Sequence, residues 1–502
     1  MKRRADAFFL LIVSILCSGM LFLACGGGGG GGGGDGLPTV PDNVTATAVS
    51  PNQIDVDWDA SSAAAGIDGY WIVQDALPQV WADSGTSYSD TGLVPDTLYC
   101  YSVAALDNSA NTSAFSPQTC IATDPVFLFS ADNNATGGHE LWSSDGTAAG
   151  TTLLKDIHQS SGSVPQGFTS FNGLTYFSAE TGGEGRELWS TDGTAAGTTL
   201  VRDIYPGGVN SVPSFLASYS GMLYFSAENG VNGVELWSSD GSAAGTTLFV
   251  DIDPVGGNSS DPRFMTACNG VLLFRAETPA HGKALWSTDG TAGGTTLVAD
   301  ILAVGTADAV RDLVCANDTL YFAGHGGAAE GWELWKSNGS AVGTTLVRDI
   351  YHGILDSNPE YITPLGSEVL FAADDTLRGV ELWVSDGSSA GTTLVMEIDP
   401  GAGGSDPSYL TVFNNLVYFS ANDGPRGAEL WSTDGSAAGT TLVADIVPGN
   451  DGSAPKLLGV VDGNLFFSAT DAVNGRELWV YDGVDPPEML RNIFPSSGDG
   501  LQ

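Results

Sequence analysis

The sequence predicts an all-β protein: a small β-sandwich followed by an eight-bladed β-propeller, with a β-solenoid as the alternative architecture for the repeats. Three observations predict it. Glycine is abundant, at 68 of 502 residues, and charged residues make up only 15%, a balance that suits short strands and tight turns better than long helices. Eight tryptophans recur at intervals of 47 to 49 residues, and a fixed period in that range marks a propeller, solenoid or array. Ahead of them lies a stretch of short alternating runs separated by turn clusters, the pattern of a sandwich.

Hydrophobic residues reach 42%, so a real core is expected rather than a disordered chain. Acidic residues number 59 against 17 basic ones, a net charge of −42. Such a surface repels phosphate backbones, so no nucleic-acid partner is expected. It also attracts cations, and calcium is the only cofactor the composition raises. The six cysteines (Cys17, Cys25, Cys100, Cys120, Cys268, Cys315) form no CxxC pair and the five histidines are scattered, which argues against zinc and redox motifs.

The chain opens Met1-Lys2-Arg3-Arg4, continues with an apolar run over Phe8–Ala24, and reaches Leu21-Phe22-Leu23-Ala24-Cys25. A basic start, an apolar core and a small residue before the cut read as a signal peptide over residues 1–24; a short uncleaved membrane helix is the alternative. The ending resembles a bacterial lipobox, with Phe22 departing from the usual leucine, and this implies lipidation of Cys25 and a lipid bilayer as partner. Nine consecutive glycines, Gly26–Gly34, follow. Residues 25–37 are thus a lipidated cysteine and a flexible tether with a reach of roughly 17 Å. Among bacterial lipoproteins an aspartate after the cysteine often signals inner-membrane retention. Gly26 stands there instead, which implies the outer membrane or cell surface.

Residues 38–124 carry the sandwich. Ile54-Asp55-Val56-Asp57-Trp58 alternates strictly, as a half-buried strand does, Tyr70–Val73 is another apolar run, and Leu93–Ala105 follows. With Pro41, Trp58, Gly69-Tyr70 and Leu93-x-Pro95-x-Thr97-x-Tyr99, the segment resembles a fibronectin type III domain, a spacer and binding module of secreted proteins. The resemblance makes Tyr99 its tyrosine-corner residue. With Asp107–Asn111 as the last hairpin turn, Cys100 and Cys120 fall opposite each other on neighbouring strands, within disulfide reach. An oxidising export compartment permits that bond; two free thiols are the alternative.

Residues 125–502 hold the repeats. The ladder is Trp142, Trp189, Trp237, Trp286, Trp335, Trp383, Trp431 and Trp479. One period reads as four strands: Phe215–Tyr219, Met222–Ala227, Glu235–Ser238 and Thr246–Ile252. Asp240-Gly241 between the last two is a tight hairpin signal. The first unit begins at Phe127–Ala131 and lacks a first strand of its own. Either one blade has three strands or Ile121–Val126 fills the gap. The block Glu140-Leu141-Trp142-Ser143-Ser144-Asp145-Gly146-Thr147 resembles the ELWxxDGT repeat family of exported bacterial proteins, across about three-quarters of the chain. Ala284, Asn338 and Tyr481-Asp482-Gly483-Val484 depart from the pattern. The resemblance implies no particular activity.

The repeated aspartates suit a turn that caps itself better than calcium, which needs six to eight oxygens. The repeated glutamates, with acids such as Glu180 and Glu228 ending the preceding strand, offer two carboxylates per unit for glycoside hydrolysis. Their repetition points instead to structure, with each carboxylate accepting backbone N–H bonds at a blade corner. No nucleophile elbow, P-loop or HExxH motif is present. The expected function is therefore a non-catalytic, envelope-anchored binding, scaffold or adhesion protein with a glycan or protein ligand. A polysaccharide hydrolase or lyase, hinted at only by His325 and His352, and a calcium-stiffened adhesin are the alternatives. Trp71, Trp81 and Trp332 stand outside the ladder as candidate contact aromatics. Cys268 and Cys315 sit in neighbouring units, where a bond has no further support in the sequence.

Overall fold

The computed structural model describes residues 36–75, 80–83, 85–132, 137–302, 309–327, 330–401, 403–493 and 501. Cys17, Cys25 and the glycine tether lie outside them. Strands dominate, and one 3-10 turn, Ala292–Gly294, is the sole helical element among the described residues. No helix among them is long and apolar enough to cross a membrane.

The first seven strands are β1 (Asp42–Ser50), β2 (Gln53–Asp59), β3 (Ile67–Gln74), β4 (Val80–Ala82), β5 (Ser87–Thr91), β6 (Leu98–Asp107) and β7 (Thr119–Ala122). They form two sheets, β1-β2-β5 and β4-β3-β6-β7. The period-two alternation decides how these meet. Ile54, Val56 and Trp58 point from β2 into a core shared with Tyr70, Ile72, Tyr101 and Val103 of the other sheet. Trp58 meets Tyr70 edge-on at 5.2 Å, a favoured aromatic geometry. The Tyr99 hydroxyl accepts the Val94 N–H at 3.0 Å, which ties the corner before β6 to the strand itself. Cys100 and Cys120 are direct register partners on β6 and β7 and are disulfide-bonded.

The repeats begin with a three-stranded sheet of β8 (Phe127–Ala131), β9 (Glu140–Ser144) and β10 (Thr152–Lys155). The segment after β7 does not complete it, because Thr119–Ala122 stays paired with β6. The next sheet runs β11 (Gln166–Phe171), β12 (Leu174–Thr181), β13 (Gly185–Thr191) and β14 (Thr199–Arg202), hydrogen-bonded in that order. Six further four-stranded sheets repeat this order up to Arg491.

The second strand of each sheet is buried on both faces, as Tyr176, Phe177, Ser178 and Ala179 are on β12. It can be so because neighbouring sheets cover it. Tyr176, Leu188 and Val201 share a core with Leu223, Phe225 and Trp237 of the next sheet. Trp189 pairs across the ladder with Phe177, and Trp142, Trp189, Trp237, Trp383 and Trp431 are buried. In four of the sheets a basic side chain at the end of the last strand adds a polar tie to a neighbouring unit. Lys155 donates to the Thr198 carbonyl at 2.5 Å. Arg202 donates to Thr246 and Arg348 to Thr392 in the same manner. Arg491 of the last sheet donates to Thr151 of the first. There Phe127 also stacks on Phe466 at 4.5 Å, and Leu501 joins Phe127, Phe129, Leu478 and Val480 in one core.

Candidate functional site

The repeated glutamate is the centre of a clamp between consecutive units. On β13, Glu187 Oε2 accepts the Ile204 N–H at 2.8 Å and the Ser211 hydroxyl at 2.5 Å, while Oε1 accepts the Ser211 N–H at 3.1 Å. Ser211 leads into the first strand of the next sheet, so one carboxylate fastens two units. Glu140 with Ser163, Glu235 with Ser260, Glu333 with Ser357, Glu381 with Ser405 and Glu429 with Ser453 repeat the bond at 2.5 to 2.7 Å. All six glutamates are fully buried. Burial pushes their carboxyls above the usual range, Glu235 and Glu333 to about 7. The partner serine was legible as Ser-X-Pro, for example Ser211-Val212-Pro213 and Ser405-Asp406-Pro407, a signal the tryptophan ladder overshadowed. The second carboxylate does not join the first. Glu180 pairs with Arg186 and Ala179 with Glu187, and since ladder partners share a face, Glu180 and Glu187 lie on opposite faces of the sheet. Truncating Glu381 to alanine strands several buried donors, each expensive to leave unmet. A loss of about 3 kcal/mol is expected in denaturant unfolding, and near-wild-type stability would remove the clamp.

The Asp-Gly turn is longer than the two-residue hairpin its sequence suggests. Seven residues, 192–198, separate β13 from β14. The Asp192 Oδ1 accepts both the Thr194 N–H at 2.8 Å and the Thr194 hydroxyl at 2.7 Å, and that hydroxyl accepts the Gly197 N–H at 2.9 Å. A side chain at Gly197 would collide with the Asp192 carboxylate at 2.1 Å, so this glycine is required by close approach. In the fifth unit the neutral Asn338 makes the same bonds, to the Ser340 N–H at 3.1 Å and the Ser340 hydroxyl at 2.7 Å. The turn therefore needs an oxygen and no charge. Among the described residues no three His, Cys, Asp or Glu side chains are grouped to hold a metal ion. Melting in calcium and in EDTA should give the same midpoint; a calcium-dependent rise would make these turns ion sites, since a bound ion stabilises by mass action.

The remaining candidates have separate surroundings. His325 accepts the Gly327 N–H at 3.0 Å and meets Trp332 edge-on at 5.5 Å; the Arg311 guanidinium covers Trp332 at 4.3 Å. His352 is exposed and faces Asp349 at 3.7 Å. Trp71 and Trp81 pack on each other at 4.8 Å, both half-buried. Cys268 and Cys315 are disulfide-bonded and join the first strands of the fourth and fifth units.

A further feature lies on the first strands, which contact one another around the repeats. Each carries a bulge, with two residues opposite one, as between Ser214 and Ala217. The first bulged residue takes the left-handed conformation in five successive units: Phe215 (φ 53), Phe264 (φ 57), Asp312 (φ 55), Tyr361 (φ 55) and Tyr409 (φ 57). Gly167 holds this place in the second unit, with φ 71, as is usual for this type of bulge. A residue with a Cβ is strained there by about 1–2 kcal/mol. Phe215, Phe264, Asp312, Glu360, Tyr361 and Ile362 line one cavity of about 580 Å³. A second, of about 500 Å³, also reaches Glu360 and Tyr361. Phe215 packs on Phe264 at 5.2 Å and Tyr361 on Tyr409 at 5.5 Å.

No family model matches the chain. Exoglucanase B of Cellulomonas fimi is 30% identical over 146 residues, 29% of this chain and 13% of that protein. An α-amylase of Niallia circulans is 35% identical over 89 residues, 18% of this chain and 7% of its own length. A gellan lyase of a Bacillus species is 36% identical over 88 residues, 4% of its length. The chain thus spans a small part of each of these relatives. Among solved structures, the FN1–FN3 domains of chicken CNTN1 are 26% identical over 18% of this chain and 33% of that one, with a TM-score of 0.16. Puromycin hydrolase aligns over 70% of this chain and 55% of its own, at 16% identity and a TM-score of 0.44. What these comparisons support is a fibronectin type III-like portion within an all-β chain.

Proposed function

We propose that this chain is an exported, non-catalytic glycan-binding protein. In this reading its eight sheets are the blades of an eight-bladed β-propeller, its sandwich is a spacer, and Cys25 with the glycine tether holds it on a bilayer at the cell surface. The observation that carries the non-catalytic part is the saturation of the repeated carboxylates. Glu187 spends both oxygens on Ile204 and Ser211, and its counterparts do likewise, so the ring of acids is fastening rather than chemistry. Ring closure is supported by the contacts of the last sheet with the first, through Phe466 on Phe127 and Arg491 on Thr151. Two disulfides suit an oxidising compartment.

The glycan part rests on the company the sandwich keeps. The partial relatives include an exoglucanase, chitinases and a gellan lyase, whose names all denote action on polysaccharide. The full-length protein should be retained on insoluble cellulose or chitin, or shift on gellan in affinity electrophoresis, and release no reducing sugar from any of them. Retention by none of these would end the glycan reading. Release of reducing ends would end the non-catalytic one.

A further inference from the structure

We infer that the strained bulges of the first strands form the ligand site, and that it takes an extended oligosaccharide that is neutral or amine-bearing. The inference rests on the glycan reading above and adds the place and the chemistry.

The argument starts from the backbone. A left-handed bulge residue is best served by glycine, and Gly167 shows that the fold accepts one there. Four of the other units instead carry Phe215, Phe264, Tyr361 and Tyr409, and bulky residues in this conformation are outliers that cluster at ligand clamps. Packing does not account for them fully, because Phe215, Phe264 and Tyr409 stay half-buried and Tyr361 is 37% exposed. What the four share is position. Phe215, Phe264 and Tyr361 line the larger cavity, Tyr361 continues into the second, and Tyr409 packs on Tyr361. An arc of aromatic faces along two joined cavities suits successive sugar rings, whose C–H faces stack on aromatic rings while their hydroxyls need polar partners.

Those partners include carboxylates. Asp312 replaces the aromatic at the bulge of the fifth unit, and Glu360 precedes Tyr361; both line the cavity. Arg263 above Phe215 and Arg275 above Phe264 share Asp261, each at 2.9 Å, so both signs of charge stand beside the rings, with Asp312 and Glu360 as the further carboxylates. Carboxylates accept hydrogen bonds from hydroxyl and ammonium groups and repel uronates, and the net charge of −42 works in the same direction.

The test compares the full-length protein with its F215G/F264G/Y361G/Y409G variant, titrated with cellohexaose, chitosan hexamer and hexagalacturonate. Relief of the backbone offsets only part of the packing lost with the four rings, so the variant should fold but melt somewhat lower than the parent. Its affinity for the neutral or the amino hexamer should fall about tenfold or more, and the parent should bind hexagalacturonate least. Because lost packing also changes the fold's stability, Glu360→Lys supplies the second probe: it should weaken the amino hexamer and strengthen hexagalacturonate. A parent that binds and a variant that binds equally well would overturn this site and leave the glycan reading standing. A parent that prefers hexagalacturonate would overturn the charge argument. A parent that binds no hexamer and no insoluble glycan would overturn both.

Discussion

Replacing Cys268 and Cys315 together by serine should lower stability by about 4 kcal/mol, the loop-closure entropy of a crosslink spanning 47 residues. The reason to expect a large effect is where the bond sits. At the other described junctions after Glu140, Glu187, Glu235, Glu333, Glu381 and Glu429, a buried glutamate and serine fasten consecutive sheets. Between the fourth and fifth units both members are missing: Ala284 stands for the glutamate and, by count from the bulge residue, Asp308 stands in the serine's place, outside the described residues. The backbone there differs as well: the His325 N–H donates to the Ala309 carbonyl at 3.0 Å, three residues before the bulge at Asp312, whereas Glu228 donates to Ser211 at 2.9 Å, four residues before the bulge at Phe215. The disulfide crosses this same junction, so it replaces a lost polar clamp with a covalent one. In the serine background, Ala284→Glu with Asp308→Ser should recover part of the loss, and either substitution alone should recover none, because a lone buried carboxylate or hydroxyl lacks its partner. Urea unfolding of the four variants, read as a double-mutant cycle, checks this. Equal stability of the parent and the double serine variant would leave the disulfide without a structural role.

Much of the architecture was legible because the repeat multiplies each signal. Glu-Leu-Trp marked the third strand and Leu-Tyr-Phe the second, and the runs chosen in the third unit lie within a residue or two of β-strands Ser214–Tyr219, Met222–Glu228, Val234–Ser239 and Thr247–Val250. The role of the glutamates was readable from their repetition. Three things were not. The Asp-Gly pair looked like a two-residue turn because the dipeptide signal is local, whereas the real loop is set by a serine or threonine two residues on and a glycine at Gly197 or its equivalents. The serine clamp partners were hidden because their meaning depends on a glutamate some 24 residues earlier. The aromatic bulge residues read as ordinary strand residues, since nothing in Phe215 or Tyr361 announces a left-handed φ; only Gly167, at the same place in the second unit, gives a clue. The cysteine at 25 and its tether remain matters of sequence, outside the described residues.

Acidification from pH 7.5 to 5 should raise the melting temperature, the reverse of common behaviour. Six buried glutamates carry carboxyls raised above their ordinary value of 4.5 by burial, two of them to about 7. A carboxyl with a folded pKa above its unfolded one holds its proton more tightly in the native state. Its contribution is fully present below about pH 4.5 and is lost as pH rises through the folded value. The turn aspartates run the other way: Asp240, Asp289, Asp386 and Asp434 are lowered from 3.8 by hydrogen bonds from the following serine or threonine, so their contribution is lost only as pH falls through those lower values. Stability should therefore peak between about pH 4 and 5 and fall on both sides, with a gain on the order of 5 °C over its value at pH 7.5. Relief of the surface repulsion from a charge of −42 has the same sign, and salt separates the two. At 1 M salt the screening length is about 3 Å, which silences exposed charges and leaves buried ones. The slope between pH 5 and 7 should persist there, and should flatten in the Glu235→Gln, Glu333→Gln protein, whose amides do not titrate. A slope that vanishes in salt and is untouched by these substitutions would assign the whole effect to the surface and place the clamp carboxylates in their charged form throughout.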